Sequence, residues 1–318
     1  MFEFISKRIL GAIPLLFALV TLTFFFTSLM PGDAATAITD QSPLASAEDV
    51  AEIRASMGLD RPFLEQYVDY MGGVLQGDLG RSLFTSTPVT ELISSRIVGT
   101  FALALVGTMI AVVIGVGAGI IAGLRPHGVV DRVVTGLATL GIAMPNFWVG
   151  LLLVWVFAVT LGWLPAGGFG QPGASFGDKM ITLILPGIAL GTSAAAHVAR
   201  QMRGSLIGVM EGDLVTALDV RGLPRRRVVL RHALRNAAIP VLTVVGLLSA
   251  RMLGGAIVIE QVFAFPGIGS LAVTAVNTRD IPVVQGVPLT VGLVVVVINI
   301  VTDVVHVSLD PAARVQLS

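Results

Sequence analysis

Long apolar runs separated by shorter polar stretches form the main pattern of this chain. An α-helix needs about twenty apolar residues to cross the hydrocarbon core of a bilayer, where only helices or closed barrels satisfy all backbone hydrogen bonds. The runs have the length of helices rather than of barrel strands. We therefore predict an all-α integral membrane protein with six spans, at 9–30, 98–122, 133–162, 180–199, 236–259 and 281–302.

A polar insertion separates the first two predicted spans and occupies residues 31–97. It contains a capping box, Ser46 with Asp49, which predicts a helix that stops at Gly58. Pro88 predicts a second helix start, and we expect a short helix there that lies against the membrane before the second span. The chain divides into an N-terminal segment with the first span, the insertion, a transmembrane domain and a tail, at 1–30, 31–97, 98–309 and 310–318.

The composition agrees with a membrane protein. Hydrophobic residues make up 54% of the 318 positions and charged residues only 13%, about half the share of a soluble domain. The chain contains no Cys, which excludes disulfides, thiolate catalysis, iron–sulfur clusters and cysteine zinc sites. Its four His residues lack the spacing of metal ligands, so we expect no metal site.

Lys and Arg are concentrated on one side of the predicted topology. With the N-terminus in the cytoplasm, the inner segments hold 13 of these residues and the outer segments hold six. The chain is neutral as a whole, yet, with Asp303 counted as part of the sixth span, its inner side then carries a net charge of +7 and its outer side −6. Because basic residues are retained in the cytoplasm, we predict that both termini are cytoplasmic and that the insertion lies outside. The inner segments are 1–8, 123–132, 200–235 and 303–318.

The inner segment 200–235 is the most informative part of the sequence. Its apolar residues recur at helical spacing from Met202 to Leu218, which predicts an amphipathic helix rather than a seventh span. We expect Gly222 to stop this helix and Pro224 to open a second one that carries five Arg residues. Such a helix-turn-helix suits docking into a groove of another protein. The residues alone equally permit a loop whose arginines only bind anionic lipid headgroups.

This loop resembles the coupling loop of ATP-binding-cassette importer permeases, through TALDVRGL at 216–223 and RHALRNAAIP at 231–240. Further matches follow along the whole chain, and together they resemble most closely the B-type permease subunit of the oligopeptide, dipeptide and nickel uptake family. They are MPGD at 30–33, GLDRP at 58–62, GDLGRS at 77–82, PVTEL at 88–92, PNFW at 145–148, LGWLP at 161–165, FPGIG at 265–269, RDIPVVQG at 279–286 and LDP at 309–311.

The resemblance implies the type I ABC importer permease fold in a bacterial cytoplasmic membrane, with the outer insertion between the first two helices. It also implies a subunit that forms half of a translocation pathway for di- or oligopeptides or, alternatively, for nickel or another small solute. The implied partners are a second homologous permease, two cytoplasmic ATPases, an external solute-binding protein and lipid, and no nucleic acid. ATP and Mg²⁺ would bind the ATPases, and no cofactor would bind this chain. The implied coupling residues are Thr216, Ala217, Leu218, Asp219, Gly222, Leu223, Pro224, Arg225, Arg226 and Arg227.

Two features of the sequence bear on this mechanism. Family members usually carry Thr-Ala-Arg-Ala-Lys-Gly before the loop glycine, whereas Asp219 inverts a charge there, which affects the detailed contacts rather than the docking mode. A Walker A loop needs Gly-Lys-Ser/Thr, but the only lysines, Lys7 and Lys179, follow Ser6 and Asp178. The chain therefore cannot build this ATP site, and we expect no catalytic residue.

Several residues within the predicted spans have special properties. Gly115, Gly119 and Gly123 recur every four residues and predict a smooth ridge for close helix contact. Gly141 and Pro145 predict a kink in the third span, which could serve as a hinge for alternating access.

Arg251 lies inside the fifth predicted span, where a charge costs several kcal/mol unless it faces protein or water. We expect it to face the translocation pathway or an acid such as Glu260 or Asp303, and Glu260 could instead cap the adjoining loop helix. The candidate pathway or gate residues are Arg251, Glu260, Pro145 and Asn146.

Two other functional classes agree less well with the sequence. A secondary transporter would show internal repeats and paired carboxylates at the midplane, but the single charge placed there is Arg251. An intramembrane serine protease would need Ser193 and His306 to meet. At about 1.5 Å per residue, they lie roughly 20 Å and 35 Å below the outer ends of their predicted helices, so they would not.

Overall fold

The computed structural model describes residues 2–29, 35, 47–56, 60–169 and 175–309. Helices carry the regular structure of this part of the chain. They are α1 (Phe2–Ser28), α2 (Ala47–Ser56), α3 (Phe63–Leu75), α4 (Val89–Leu124), α5 (Val129–Ala143), α6 (Asn146–Leu153), α7 (Phe176–Met210), α8 (Asp213–Val220), α9 (Arg225–Arg227), α10 (Leu234–Val262), α11 (Ile268–Thr278) and α12 (Ile281–Leu309). A π-helical turn, Val154–Thr160, extends α6, and another, Val228–Ala233, joins α9 to α10.

Five helical stretches of the described chain are long and apolar enough to cross a bilayer. They are Ser6–Ser28, Val89–Leu124, Phe176–Met210, Arg225–Val262 and Ile281–Val304. In place of the third predicted span, α5 and the extended α6 form a pair that is bent by 104°. The all-α fold with up to six spans is confirmed, but the third span is broken rather than only kinked.

The break lies at Met144 and Pro145, which both have extended backbone, with ψ angles of 127° and 136°. Pro145 has no N–H to donate, and its ring disfavours a helical conformation of the preceding residue. The helix therefore ends at Ala143, and a new one starts at Asn146. The predicted position of the distortion is confirmed, and both halves pack against α7.

The residues around Pro88 correct a second prediction. Pro88 precedes a helix start as expected, but that helix is α4, which continues for 36 residues into the second span. No proline lies between Val89 and Leu124 to interrupt it, so the separate short helix predicted here is wrong. The helix predicted after Ser46 corresponds to α2, while Ser46 and Gly58 themselves lie outside the described residues.

The chain forms two compact units. The larger unit is built from Gly99–Phe265 and from Val297 onward, and the smaller unit from Phe2–Val98 and Pro266–Val296. Helix α7 is the centre of the larger unit, since 61% of its most apolar window is buried, against 33% for α4. It packs against α5, α6 and α10.

The predicted glycine ridge forms the contact between α4 and α7. A Cβ atom added to Gly115 would lie 2.6 Å from the carbonyl oxygen of Ala195, and one added to Gly119 would lie 2.6 Å from Met202 Cβ. Both distances are shorter than real Cβ contacts. Gly123 is in tight contact one turn further on. The ridge is therefore confirmed as a packing surface within this chain.

The smaller unit is held by aromatic and polar contacts. Phe24 of α1 packs against three aromatic rings of α3 at centroid distances of 5.2 to 5.4 Å. Gln285 Nε2 donates a hydrogen bond to Thr27 Oγ1 at 2.7 Å. Ser82 Oγ donates to the buried Asp280 carboxylate at 2.5 Å. These bonds tie α1 and the segment before α4 to the start of α12.

The ridge predicts the effect of adding one methyl group. We expect Gly119→Ala to destabilise the folded protein by about 2 kcal/mol, because the new Cβ overpacks the α4–α7 contact. Gly117→Ala is the matched control, since nothing lies within 4 Å of a Cβ at that position. Thermal unfolding in detergent measures both. Equal melting temperatures for the two variants would contradict the contact.

Candidate functional site

The segment after α7 contains a short helix rather than the predicted continuous one. Helix α7 extends past the predicted end of its span at residue 199 to Met210. Gly212 then takes an extended conformation, with φ −86° and ψ 165°, and separates α7 from α8. Glycine in a helix interior costs about 1 kcal/mol relative to alanine, which favours a break at this position. The prediction of one helix from Met202 to Leu218 is therefore wrong.

Helix α8 ends in a Schellman motif centred on Gly222. Gly222 has a φ of +73°, in the left-handed region that favours glycine. Its N–H donates to the Asp219 carbonyl at 2.9 Å, and the Leu223 N–H donates to the Leu218 carbonyl at 3.3 Å. Leu218 and Leu223 belong to one hydrophobic cluster. The predicted stop at Gly222 is confirmed, and the turn has a fixed backbone shape.

The predicted coupling residues divide into a buried and an exposed group. Leu218 is buried with Val215 of α8 and Val228 of the following helix, and Leu223 is half-buried against them. The other predicted coupling residues are exposed: Thr216, Ala217, Asp219, Gly222, Pro224, Arg225, Arg226 and Arg227. The apolar face of α8 is thus covered by this chain itself, and the turn presents its polar side outward.

Exposed basic side chains follow the turn in sequence. Pro224 precedes α9, and the helix that follows carries Arg231 and Arg235 on its exposed surface. A cavity of about 540 Å³ lies between Leu214 of α8 and the start of α10. Its lining includes Arg231, His232 and Arg235, and no acidic residue. Asp219 is exposed on α8 and does not line this cavity.

A buried ion pair joins the first turn of α5 to the last two turns of α7. The Asp131 carboxylate accepts hydrogen bonds from Arg203 Nη2 at 2.7 Å and from Arg203 Nε. It also accepts one from the His127 N–H at 2.8 Å and one from Thr135 Oγ1 at 3.3 Å. The side chain of Asp131 is 4% exposed and that of Arg203 27%. The carboxylate is thus fully satisfied inside the larger unit.

The candidate pathway residues lie in different environments. Arg251 is exposed on α10. Glu260 is completely buried and accepts a hydrogen bond from Thr100 Oγ1 at 2.7 Å. Pro145 and Asn146 lie at the break between α5 and α6. The role of these four residues in the pathway stays a prediction.

Family comparison assigns the chain as a whole. The family model described as "Binding-protein-dependent transport system inner membrane component" matches residues 115–315, and the corresponding N-terminal model matches residues 1–104. The chain belongs to this family. The permease is therefore a multi-pass membrane component of an ABC importer.

Close relatives cover the full length of the permease. Proteins named "Glutathione transport system permease protein GsiC" from Escherichia coli (strain K12) and Salmonella choleraesuis (strain SC-B67) are 40% identical to it over 314 residues. The one from Shigella flexneri serotype 5b is 39% identical. Each match covers 99% of both chains.

Solved structures of the MetNI methionine ABC transporter, in inward-facing conformations, share the fold. Two crystal forms align with TM-scores of 0.55 and 0.58 at 16% and 17% identity. They cover 70% and 69% of the permease and 97% and 96% of the MetNI chain. At this identity the likeness concerns the fold, and the type I ABC importer permease fold implied by the sequence is confirmed.

Sequence reasoning missed the Asp131–Arg203 pair of the permease. The two residues are 72 positions apart, and nothing in the local pattern of either one indicates a partner. A usable signal was present, however. Opposite charges at the inner ends of two predicted spans lie at the same depth when the spans are adjacent, and burial of unpaired charge is costly.

Proposed function

We propose that this permease forms half of the translocation pathway of an ATP-driven importer for small peptides, and that an external binding protein delivers the solute. The exposed turn at Gly222 carries this proposal. It is a surface of fixed shape at the end of α8, the short helix that follows α7, the central helix of the larger unit. A groove in an ATPase subunit that holds this turn would therefore act on the permease through α8, whose buried side packs against Val209 and Met210 of α7.

The division between buried and exposed loop residues supports docking. Leu218 anchors α8 to the permease, so a force on the turn reaches the helix that follows rather than dissipating in a flexible loop. Arg225, Arg226 and Arg227 are exposed beside the turn and suit acidic groups on the rim of a groove. Asp219 is exposed on the other side of the turn in sequence and would select a basic residue in the partner.

A coupling role of the loop implies several partners. ATP and Mg²⁺ would bind two cytoplasmic ATPase subunits, and this chain would catalyse no reaction and bind no cofactor. A second, homologous permease would supply the other half of the pathway, and lipid would surround the pair. Arg251, Glu260, Pro145 and Asn146 remain the proposed pathway or gate residues. The exposed Arg251 would then face the pathway.

The proposed solute class is peptide-like. The relatives that match along 99% of their length are named as glutathione transport permeases. Glutathione is a small peptide with a net negative charge, and the cavity beside α8 is lined by Arg231 and Arg235. A cavity of this charge would attract a carboxylate-bearing solute or retain it on the cytoplasmic side.

The energy source is the first test. In vesicles that contain the complete transporter, we expect uptake of labelled glutathione or dipeptides to require ATP and the binding protein. Vanadate should abolish uptake, whereas collapse of the proton gradient should not. Parallel assays with Ni²⁺ separate the two solute classes. Uptake that persists without ATP would exclude an importer of this class.

Coupling is tested at Gly222. Gly222→Val forces a β-branched residue into a positive φ, so we expect uptake to fall by about tenfold or more while ATP hydrolysis continues. Gly136→Val is the control, because a Cβ there has nothing within 4 Å and the backbone is helical. Replacement of Arg225, Arg226 and Arg227 by Glu should act like Gly222→Val. If these variants transport normally, the loop only binds lipid headgroups.

Orientation can be tested cleanly because the chain has no Cys. Phe176 and Val220 are 78% and 84% exposed and lie on opposite predicted sides of the membrane. In cells that express the permease without its ATPases, an impermeant maleimide should label Phe176→Cys directly. It should label Val220→Cys only after permeabilisation. The reverse pattern would place both termini outside.

A further inference from the structure

The buried ion pair connects the helix that carries the coupling loop to the broken third span. Arg203 lies on α7, seven residues before its end at Met210 and about 10 Å from it along the helix axis. Asp131 lies in the first turn of α5, whose other end is the break at Pro145. All of these residues belong to the larger unit.

The contact between Arg203 and Asp131 resists both sliding and rotation. Two nitrogens of one guanidinium meet the two oxygens of one carboxylate, and this paired geometry fixes orientation as well as distance. The His127 N–H and the Thr135 hydroxyl hold the carboxylate from its own side. The carboxylate therefore cannot follow Arg203 unless α5 moves with it.

A second contact joins the same helices deeper in the bundle. A Cβ added to Gly141 of α5 would lie 3.3 Å from Ala196 Cβ of α7. Gly141 is ten residues from Asp131, and Ala196 is seven residues from Arg203. The ion pair is thus the polar contact of a longer α5–α7 interface, and it lies at the end of that interface nearest the coupling loop.

We propose that Asp131 and Arg203 are positioning residues for transport. Their ion pair makes α5 follow α7 when the coupling loop moves, and thereby carries that movement to the break at Pro145. The inference rests on the proposed coupling role of the loop. The ion pair is then the contact through which a movement of α7 reaches α5.

The test compares ATP consumption with uptake in vesicles that contain the complete transporter. We expect Asp131→Asn and Arg203→Gln to raise the ATP hydrolysed per solute imported at least about fivefold. A purely structural role would lower hydrolysis and uptake together and leave their ratio unchanged. Arg132→Gln is the matched control, because Arg132 is the exposed neighbour of Asp131 on α5. Its ratio should equal that of the wild type.

Two further variants keep the test decisive if a single substitution folds poorly. Arg203→Lys retains the charge but cannot form the paired hydrogen bonds to both carboxylate oxygens of Asp131. It should therefore fold and show an intermediate ratio of ATP hydrolysed to solute imported. The double variant Asp131→Asn with Arg203→Gln should resemble the worse single variant instead of combining both defects. If the ratio of ATP hydrolysed to solute imported equals that of Arg132→Gln in all of these variants, the inference is wrong. If Gly222→Val is also fully coupled, the proposed function itself fails.

Discussion

The close approach of α4 to α7 is the contact on which the larger unit depends. Helices in a bilayer gain little from burying apolar side chains against one another, since lipid is equally apolar, so association relies on tight van der Waals packing. Gly115 and Gly119 provide it by removing the side chain from the contact. With α4 fixed in this way, α7 is placed where α5, α6 and α10 can pack around it.

This arrangement gives α7 two roles. It is the most buried of the long apolar helices in the described chain, and the break at Gly212 connects it to α8, which ends at the exposed turn at Gly222. The small residues that allow close packing therefore also determine where the turn is presented. The Schellman motif adds a second constraint, because it fixes the backbone of the turn through hydrogen bonds and needs no side chain at Gly222.

Features encoded by local chemistry were predictable from the sequence. Apolar length located most of the spans, the spacing of Gly115, Gly119 and Gly123 identified a packing ridge, and Pro145 located the break. Features that depend on tertiary structure were not. The 104° bend depends on how both halves pack against α7, and Glu260 meets Thr100 across 160 residues. The break at Gly212 was missed because the apolar series continues through it at helical spacing.

The length of α4 has its own consequence for the position of the protein in the bilayer. At about 1.5 Å per residue its 36 residues extend about 54 Å, and even a tilt of about 40° leaves roughly 41 Å along the membrane normal. The hydrocarbon core is only about 30 Å thick. Part of α4 must therefore stand in water or among headgroups, and its first turns carry Glu91 and Arg96. These charges, rather than either helix end, mark where the hydrocarbon begins.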